Sequence, residues 1–341
     1  MSGVRPLRLV VMGTGPFAVP MFRALVASPH EIVAVVTRPD HAPPGRRPPP
    51  NPMREAAAAA GIRVLDPEKA NAAESVAAIR GLAADLFVVC DYGQILSAEL
   101  LGVAPLGGIN LHGSLLPRHR GAAPIQWALL EGDAVTGVSV IGMTPALDAG
   151  RVITARATPV GPRETAAELE TRLSEIGAGA VLDAIERLEA AVVAGHDPAG
   201  VGILQDEAKA TRAPRLAKAD GVIDWSQPAA AIERRRRALD PWPRVGTFFT
   251  RADGERQRMV VAEADVAPAE EFVVPAAPAI PAAAPGTVLA AEAGPDAGRI
   301  VVACGGGTAL AITRLVPEGK RAMAAGEFLR GSPLRPGTRL G

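Results

Sequence analysis

The sequence predicts a two-domain protein, a mostly parallel α/β sheet followed by a smaller β-barrel, and three observations carry that expectation. At 341 residues, 48% of them hydrophobic, the chain exceeds one domain of ordinary size and can fill more than one core. Its first 150 residues alternate short runs of Val, Ile and Leu with longer segments of helix formers. Beyond about residue 205 the apolar runs stay short and are separated by turn residues, as in small barrels.

In the first part, strands are expected at residues 7–12, 32–37, 86–90, 108–111 and 138–143, where β-branched and aliphatic residues run together. Helices are expected at 19–27, 53–60, 72–82 and 124–131. This alternation implies right-handed crossovers and helices on both faces of the sheet. Ligands then gather beyond the carboxyl ends of the strands. Residues 165–194 read as one long helix closing the domain, because Leu169, Leu173, Ile176, Ala180, Leu182 and Ile185 lie near helical spacing and Gly195 stops it.

The polar, basic stretch 203–218 reads as an interdomain linker, dividing the chain into domains at 1–205 and 206–341. Further strands are expected at 222–224, 245–249, 259–262, 286–289, 300–303 and 308–315, with an Ala/Pro-rich loop over 264–285. Arg234 to Arg237 fall on a predicted helix, where consecutive residues spread around the axis, so most should face solvent. The Ile and Pro surroundings of Trp225 and Trp242 argue for packing at the domain junction over stacking on bases.

Composition narrows the function. No apolar run reaches the roughly 20 residues of a membrane span, and the N-terminus lacks the pattern of a signal peptide, so a cytoplasmic protein is expected. Cys90 and Cys304 have no partner motif for a disulfide framework or zinc site, so both should stay reduced and no metal is expected. The formal net charge is zero, but unevenly spread: residues 1–207 carry 17 Lys/Arg against 22 Asp/Glu, residues 208–341 carry 19 against 14. A second half of net +5 suits a polyanionic partner, although a solvated basic module would look the same.

The chemistry concentrates in Ile109-Asn110-Leu111-His112-Gly113-Ser114-Leu115-Leu116-Pro117. Residues i and i+2 on a strand face one side, roughly 6.6 Å apart, so Asn110 and His112 project together at a strand end. Asp148 follows 36 residues later, just after the next strong strand. An amide, an imidazole and a carboxylate at one cleft can serve acyl transfer to an amine. Donors such as the Asn110 amide and a protonated His112 would hold the charge that builds on the acyl oxygen, each worth roughly 3 to 4 kcal/mol. Asp148 would favour the imidazolium, orient the ring and receive the amine's proton. The turn Gly13-Thr14-Gly15-Pro16 could pass for a dinucleotide fingerprint, but Pro16 stiffens it, and the second strand ends in Thr37-Arg38 without the acidic residue that holds a ribose.

Asn110-x-His112-x-Ser114-Leu115-Leu116-Pro117, continued by Arg118 to Gln126 and answered by Leu147-Asp148-x-Gly150, resembles the signature of the folate-dependent formyltransferases. The resemblance implies a Rossmann-like catalytic domain and 10-formyltetrahydrofolate as formyl donor. It makes Asn110, His112 and Asp148 catalytic and gives Ser114, Leu115, Leu116 and Pro117 a folate contact. Cys90, Asp91, Tyr92, Gly93, Gln94 and Ile95 resemble the family segment that lines the pterin pocket. Outside this half, Ile223-Asp224-Trp225, Asp240-Pro241-Trp242-Pro243, Pro285-Gly286-Thr287 and Pro317-Glu318-Gly319-Lys320 are similar to the members that formylate methionyl initiator tRNA. Those members carry a C-terminal OB-like barrel that contacts the acceptor arm. Charged initiator tRNA is thus the implied partner, with Arg46, Arg47, Lys209, Arg215 and Lys218 as candidate nucleic-acid contacts and a monomer as the expected state.

Three departures from the family pattern stand near the site: His119 in place of an aromatic, Arg151 in place of an Asp, and Met143-Thr144-Pro145-Ala146 in place of Met-Asp-x-Gly. The loop between Pro39 and Pro52, normally rich in Lys and Arg, keeps Arg46 and Arg47 among many prolines. A sugar-nucleotide formyltransferase and a tRNA-binding protein without turnover remain the alternatives.

Overall fold

The computed structural model describes residues 5–40, 49–251, 254–268, 283–294 and 298–341. It divides into two compact units, the first ending at Arg215 and the second comprising residues 216–341; segments 129–133 and 161–167 cluster with the second unit. The expected boundary near residue 205 therefore falls inside the first unit.

Strands β1 (Arg8–Met12), β2 (Glu31–Val36), β3 (Val64–Leu65), β4 (Leu86–Val89) and β5 (Gly108–His112) form the parallel part of a sheet, in the order β3-β2-β1-β4-β5. Their crossovers carry α1 (Val19–Val26), α2 (Pro52–Ala59), α3 (Ala73–Arg80) and α4 (Ala98–Leu101). The chain then passes through β6 (Arg120–Gly121) and α5 (Pro124–Glu131) to β7 (Val135–Gly142) and β8 (Val152–Pro159), which join the sheet antiparallel beside β5. The 28-residue helix α6 (Ala166–Val193) spans the stretch expected to be helical. Asn51 caps α2 by accepting from the Arg54 backbone N–H. Val10, Met12, Val36, Phe87 and Val89 form the middle of one packed core.

The short elements β3, α4 and β6 were not read from the sequence, and two larger features escaped it as well. Strand β8 is an edge strand whose burial alternates along residues such as Thr154, Arg156 and Thr158, so no apolar run announces it. The stretch from residue 203 onward does more than link. Ile203 exchanges two backbone hydrogen bonds with Val152, both 2.9 Å, and β9 (Arg212–Ala213) pairs with β6.

The second unit holds α7 (Ala229–Ala238) and an antiparallel sheet of β10 (Gly246–Thr250), β11 (Arg256–Ala267), β12 (Val288–Glu292), β13 (Arg299–Cys304) and β14 (Thr308–Pro317), in the order β10-β11-β14-β13-β12. Strand β15 (Met323–Ala324) pairs with β14, and α8 (Ala325–Gly331) follows. Register shifts in β11 and β12 add local twist, which curls the sheet. The C-terminal tail meets both edges: Leu340 donates to the Gly286 carbonyl beside β12, and Gly341 donates to the Phe248 carbonyl in β10. This is the expected small barrel in half-open form.

Several expectations here need correction. Residues 222–224 form no strand; Val222 makes a single bridge to Gly246, and the chain turns at once. Residues 264–267 belong to β11 and not to a loop, while 269–282 lie outside the described residues. Trp225 is buried, its Nε1–H donating to Thr247 Oγ1, but Trp242 is 56% exposed. Nor do Arg234 to Arg237 face solvent. Arg237 is buried against Glu233 at 2.8 Å, Arg236 reaches Glu233 and the Ala262 carbonyl, and Arg235 donates to the Asp220 carbonyl. No helix among the described residues is long and apolar enough to cross a membrane.

Candidate active site

A cleft of about 630 Å³ opens beyond the carboxyl ends of β4 and β5, where a parallel sheet collects ligands. Its volume falls within the roughly 300 to 1,000 Å³ usual for small-molecule sites. Asn110, His112 and Asp148 all line it, so the three residues singled out in the sequence converge. Asn110 ends one β4–β5 pair opposite Val89, and no hydrogen bond of its side chain is seen among the described residues. The amide is thus free to meet a ligand.

His112 is buried, with Nε2 2.9 Å from the His119 carbonyl oxygen and Nδ1 3.7 Å from Asp148 Oδ2. A carbonyl only accepts, so the proton of the neutral ring sits on Nε2, and Nδ1 turns its lone pair toward Asp148. Burial holds the His112 pKa below its ordinary 6.5, with the Asp148 charge and the His119 carbonyl opposing that shift in part. Burial thus works against the protonated ring expected from the sequence, while the Asp148 carboxylate favours it. The departure at His119 leaves its carbonyl in place. That residue holds a left-handed backbone at φ 61°, and its side chain is buried.

Asp148 also sits in the left-handed region, at φ 49°. Its Oδ2 accepts the Gly121 backbone N–H at 2.9 Å. Gln205 donates from Nε2 to the Asp148 carbonyl at 2.8 Å and to the Gly150 carbonyl at 2.7 Å. Arg120 in turn donates to Gln205 Oε1 and pairs with Glu207 at 2.7 Å. Sequence reading missed Gln205, whose segment looked like a linker, because nothing local in the chain signals a contact across 55 or more residues.

The remaining expected donor-site residues divide. Asp91, Tyr92, Gly93, Gln94 and Ile95 line the cleft. Ile95 offers an apolar wall, being 68% exposed. Gln94 spends its side chain elsewhere, accepting from Ala70 N–H at 2.9 Å. The Tyr92 ring is buried with no partner of its hydroxyl among the described residues, and burial pushes its pKa up to about 12. Cys90 is fully buried beneath the cleft wall, its thiol pushed up by burial. Ser114, Leu115, Leu116 and Pro117 lie outside the cleft lining. Ser114 is fully buried and its Oγ donates to the Arg118 carbonyl at 2.7 Å, so this turn shapes the loop carrying His119.

The glycine turn serves the protein itself. Thr14 N–H donates to the Asp91 carbonyl at 3.1 Å, Gly15 N–H bonds the Asp91 carboxylate, and a Cβ at position 15 would run into that carboxylate. Burial raises the Asp91 pKa, with Gly15 and Arg38 opposing. Glu170 from α6 lines the same cleft, its pKa also raised by burial and by Asp91; no local pattern in the chain marks it.

Of the candidate nucleic-acid contacts, Arg215 lines the cleft and no partner of its guanidinium is seen among the described residues. Lys209 is exposed and pairs with Asp206 at 3.2 Å, and Lys218 is exposed in the second unit. Arg46 and Arg47 lie outside the described residues. No group of metal-binding side chains occurs among the described residues.

Comparison with known proteins adds to this geometry. The chain matches the family described as "Formyl transferase" over residues 7–185 and "Formyl transferase, C-terminal domain" over 215–333. A methionyl-tRNA formyltransferase of Rhodopirellula baltica is 44% identical over 342 residues, covering 98% of this chain and 96% of that one. One of Acidiphilium cryptum is 43% identical over 338 residues, covering 98% and 100%. Among solved structures, HypX from Aquifex aeolicus in complex with tetrahydrofolic acid shares the fold, with a TM-score of 0.60 at 17% identity; the match covers 99% of this chain and 51% of that one.

Proposed function

This chain belongs to the formyl transferase family, and from that premise we propose that it moves the formyl group of 10-formyltetrahydrofolate onto the amino group of methionyl initiator tRNA. The observation that carries the reading is the convergence of a free Asn110 amide with the His112–Asp148 pair in one cleft.

The cleft suits the donor. Apolar side chains such as Ile95, Leu96 and Met143 form walls for a flat ring system, and the Asn110 amide stands ready for the formyl oxygen. No nucleophilic side chain is needed, because the attacking amine belongs to the acceptor. As its nitrogen bonds to the formyl carbon, the carbonyl oxygen gains negative charge and the Asn110 amide donates to it. His112 Nδ1 takes the proton that the amine must lose, and Asp148 stabilises the imidazolium so formed. When the bond from the formyl carbon to the departing nitrogen breaks, His112 returns that proton to the leaving nitrogen. The imidazole ends neutral, as it began, and the proton count balances.

The first unit is the catalytic domain in this reading, and the second binds tRNA together with the basic stretch that precedes it, where Lys209, Arg212 and Arg215 stand without an intervening acid. Arg215, which lines the cleft, would meet a phosphate of the acceptor end, and Arg46, Arg47, Lys209 and Lys218 would add to its hold. A role in translation initiation implies work in the cytoplasm, and we take the monomer as the active form. The test is to incubate the protein with labelled formyl donor and either methionyl initiator tRNA or free methionine. Label should appear on the charged tRNA and not on the free amino acid; equal labelling of both, or of neither, would refute the assignment.

A further inference from the structure

We propose that Gln205 is a positioning residue for Asp148, clamping the carboxylate's loop to Arg120 so that its charge faces His112. The inference rests on the role given to Asp148 above. Both amide hydrogens of Gln205 are committed to that loop, one to the Asp148 carbonyl at 2.8 Å and one to the Gly150 carbonyl at 2.7 Å. Its oxygen accepts from Arg120 twice, from Nε at 3.0 Å and from Nη2 at 2.7 Å. Carbonyls can only accept and a guanidinium can only donate, so the amide seats in one orientation and no other.

The loop needs such a hold. Asp148 has φ 49°, a left-handed conformation that costs a non-glycine residue roughly 1 to 2 kcal/mol, and the clamp grips the backbone at and beyond it. Arg120 is fixed on its far side by Glu207, at 2.8 and 2.7 Å from its two Nη atoms. The residue after Arg120 donates its backbone N–H to Asp148 Oδ2, and the residue before it supplies the carbonyl that sets the His112 tautomer. Thr211, on the same segment as Gln205, accepts from Arg120 N–H at 2.8 Å, and its hydroxyl accepts from His119 N–H at 2.8 Å. The segment after Ile203 therefore fastens the loop that carries Asp148 and the loop whose His119 carbonyl meets His112.

A packing role alone does not account for Gln205. The flanking Ile203 and Leu204 are 76% and 68% exposed, so this segment adds little to a core. Its side chain spends itself on polar contacts, to the Asp148 loop on one side and to Arg120 on the other.

The test uses the full chain with Gln205→Met, which keeps length without polar ends, and Gln205→Glu, which keeps the Arg120 contact but turns an oxygen toward two carbonyls. Both should lower kcat by about 100-fold, the scale of a 1 Å misplacement. KM for donor and tRNA should stay within about 2-fold of wild type, as for a residue that positions and does not bind. The His112 ring, followed by NMR, should titrate at lower pH in both variants, because the opposing carboxylate has drifted away. Wild-type turnover and an unchanged His112 titration in both variants, with Asp148→Asn inactive, would overturn the clamp alone. An active Asp148→Asn protein would instead overturn the role of Asp148. A rise in either KM that accounts for the whole loss, with His112 unmoved, would make Gln205 a substrate contact and also reject the proposal.

Discussion

His112 carries the proton in this account, and its surroundings fix how it responds to pH. Burial favours the neutral ring, so the folded protein binds a proton there less readily than the unfolded chain does. Stability from this group is present above its ordinary 6.5 and drains as pH falls from there toward the lower folded value. Thermal unfolding followed from pH 8 to pH 5.5 should show that loss, and His112→Gln should remove its share; an identical pH response in the variant would contradict the burial argument. Asn110 and His112 were legible because strand periodicity puts i and i+2 on one face, and Asp148 because it follows the next strand. Protonation was not legible: the His119 carbonyl that sets the tautomer and the burial that lowers the pKa arise only when distant residues pack. Gln205 and Glu170 stayed hidden for the same reason, since neither stands in a pattern of its own.

At the scale of elements, the inner parallel strands β1, β2, β4 and β5 were plain because each holds a run of apolar residues packed within the sheet, whereas the two-residue edge strand β3 was not expected. Edge elements were not. Strand β8 alternates with polar residues, and β11 runs through Ala264 to Ala267, where an Ala-rich composition suggested a loop. Helix α7 is the sharpest reversal, since a run of four arginines reads as solvated, whereas Glu233 and nearby carbonyls draw three of them inward. Glu233 lies one turn before Arg237 on α7, bridging i to i+4, and both are largely buried. Glu233→Ala leaves the buried Arg237 charge without its carboxylate, with the Glu164 carbonyl at 2.9 Å still accepting from Nη1, and such a loss costs about 3 kcal/mol. Denaturant unfolding should register that decrease; a variant as stable as wild type would mean the arginine finds water or another acceptor.

For the whole molecule, the split of charge matters more than the neutral total. Residues 208–341 carry net +5 against −5 before them, and Arg215 stands at the cleft with no partner of its guanidinium among the described residues. Binding of charged initiator tRNA should therefore weaken steeply with added salt, since each phosphate neutralised releases counterions. A flat response between about 50 and 200 mM salt would argue against phosphate contacts. The two-domain plan was visible from composition and run length, but the boundary was set too early. A basic, polar stretch looks like a linker when its hydrogen-bond partners, residues 117–123 and 148–152, are far away in the chain.

The most direct measurement is single-turnover formyl transfer to methionyl initiator tRNA by the wild-type protein and by Asn110→Ala, His112→Ala and Asp148→Asn, each checked for an unchanged melting temperature. The account predicts that each variant loses at least about 100-fold in the transfer step while still folding. Transfer at the wild-type rate by any one of them would contradict the shared role of the three side chains.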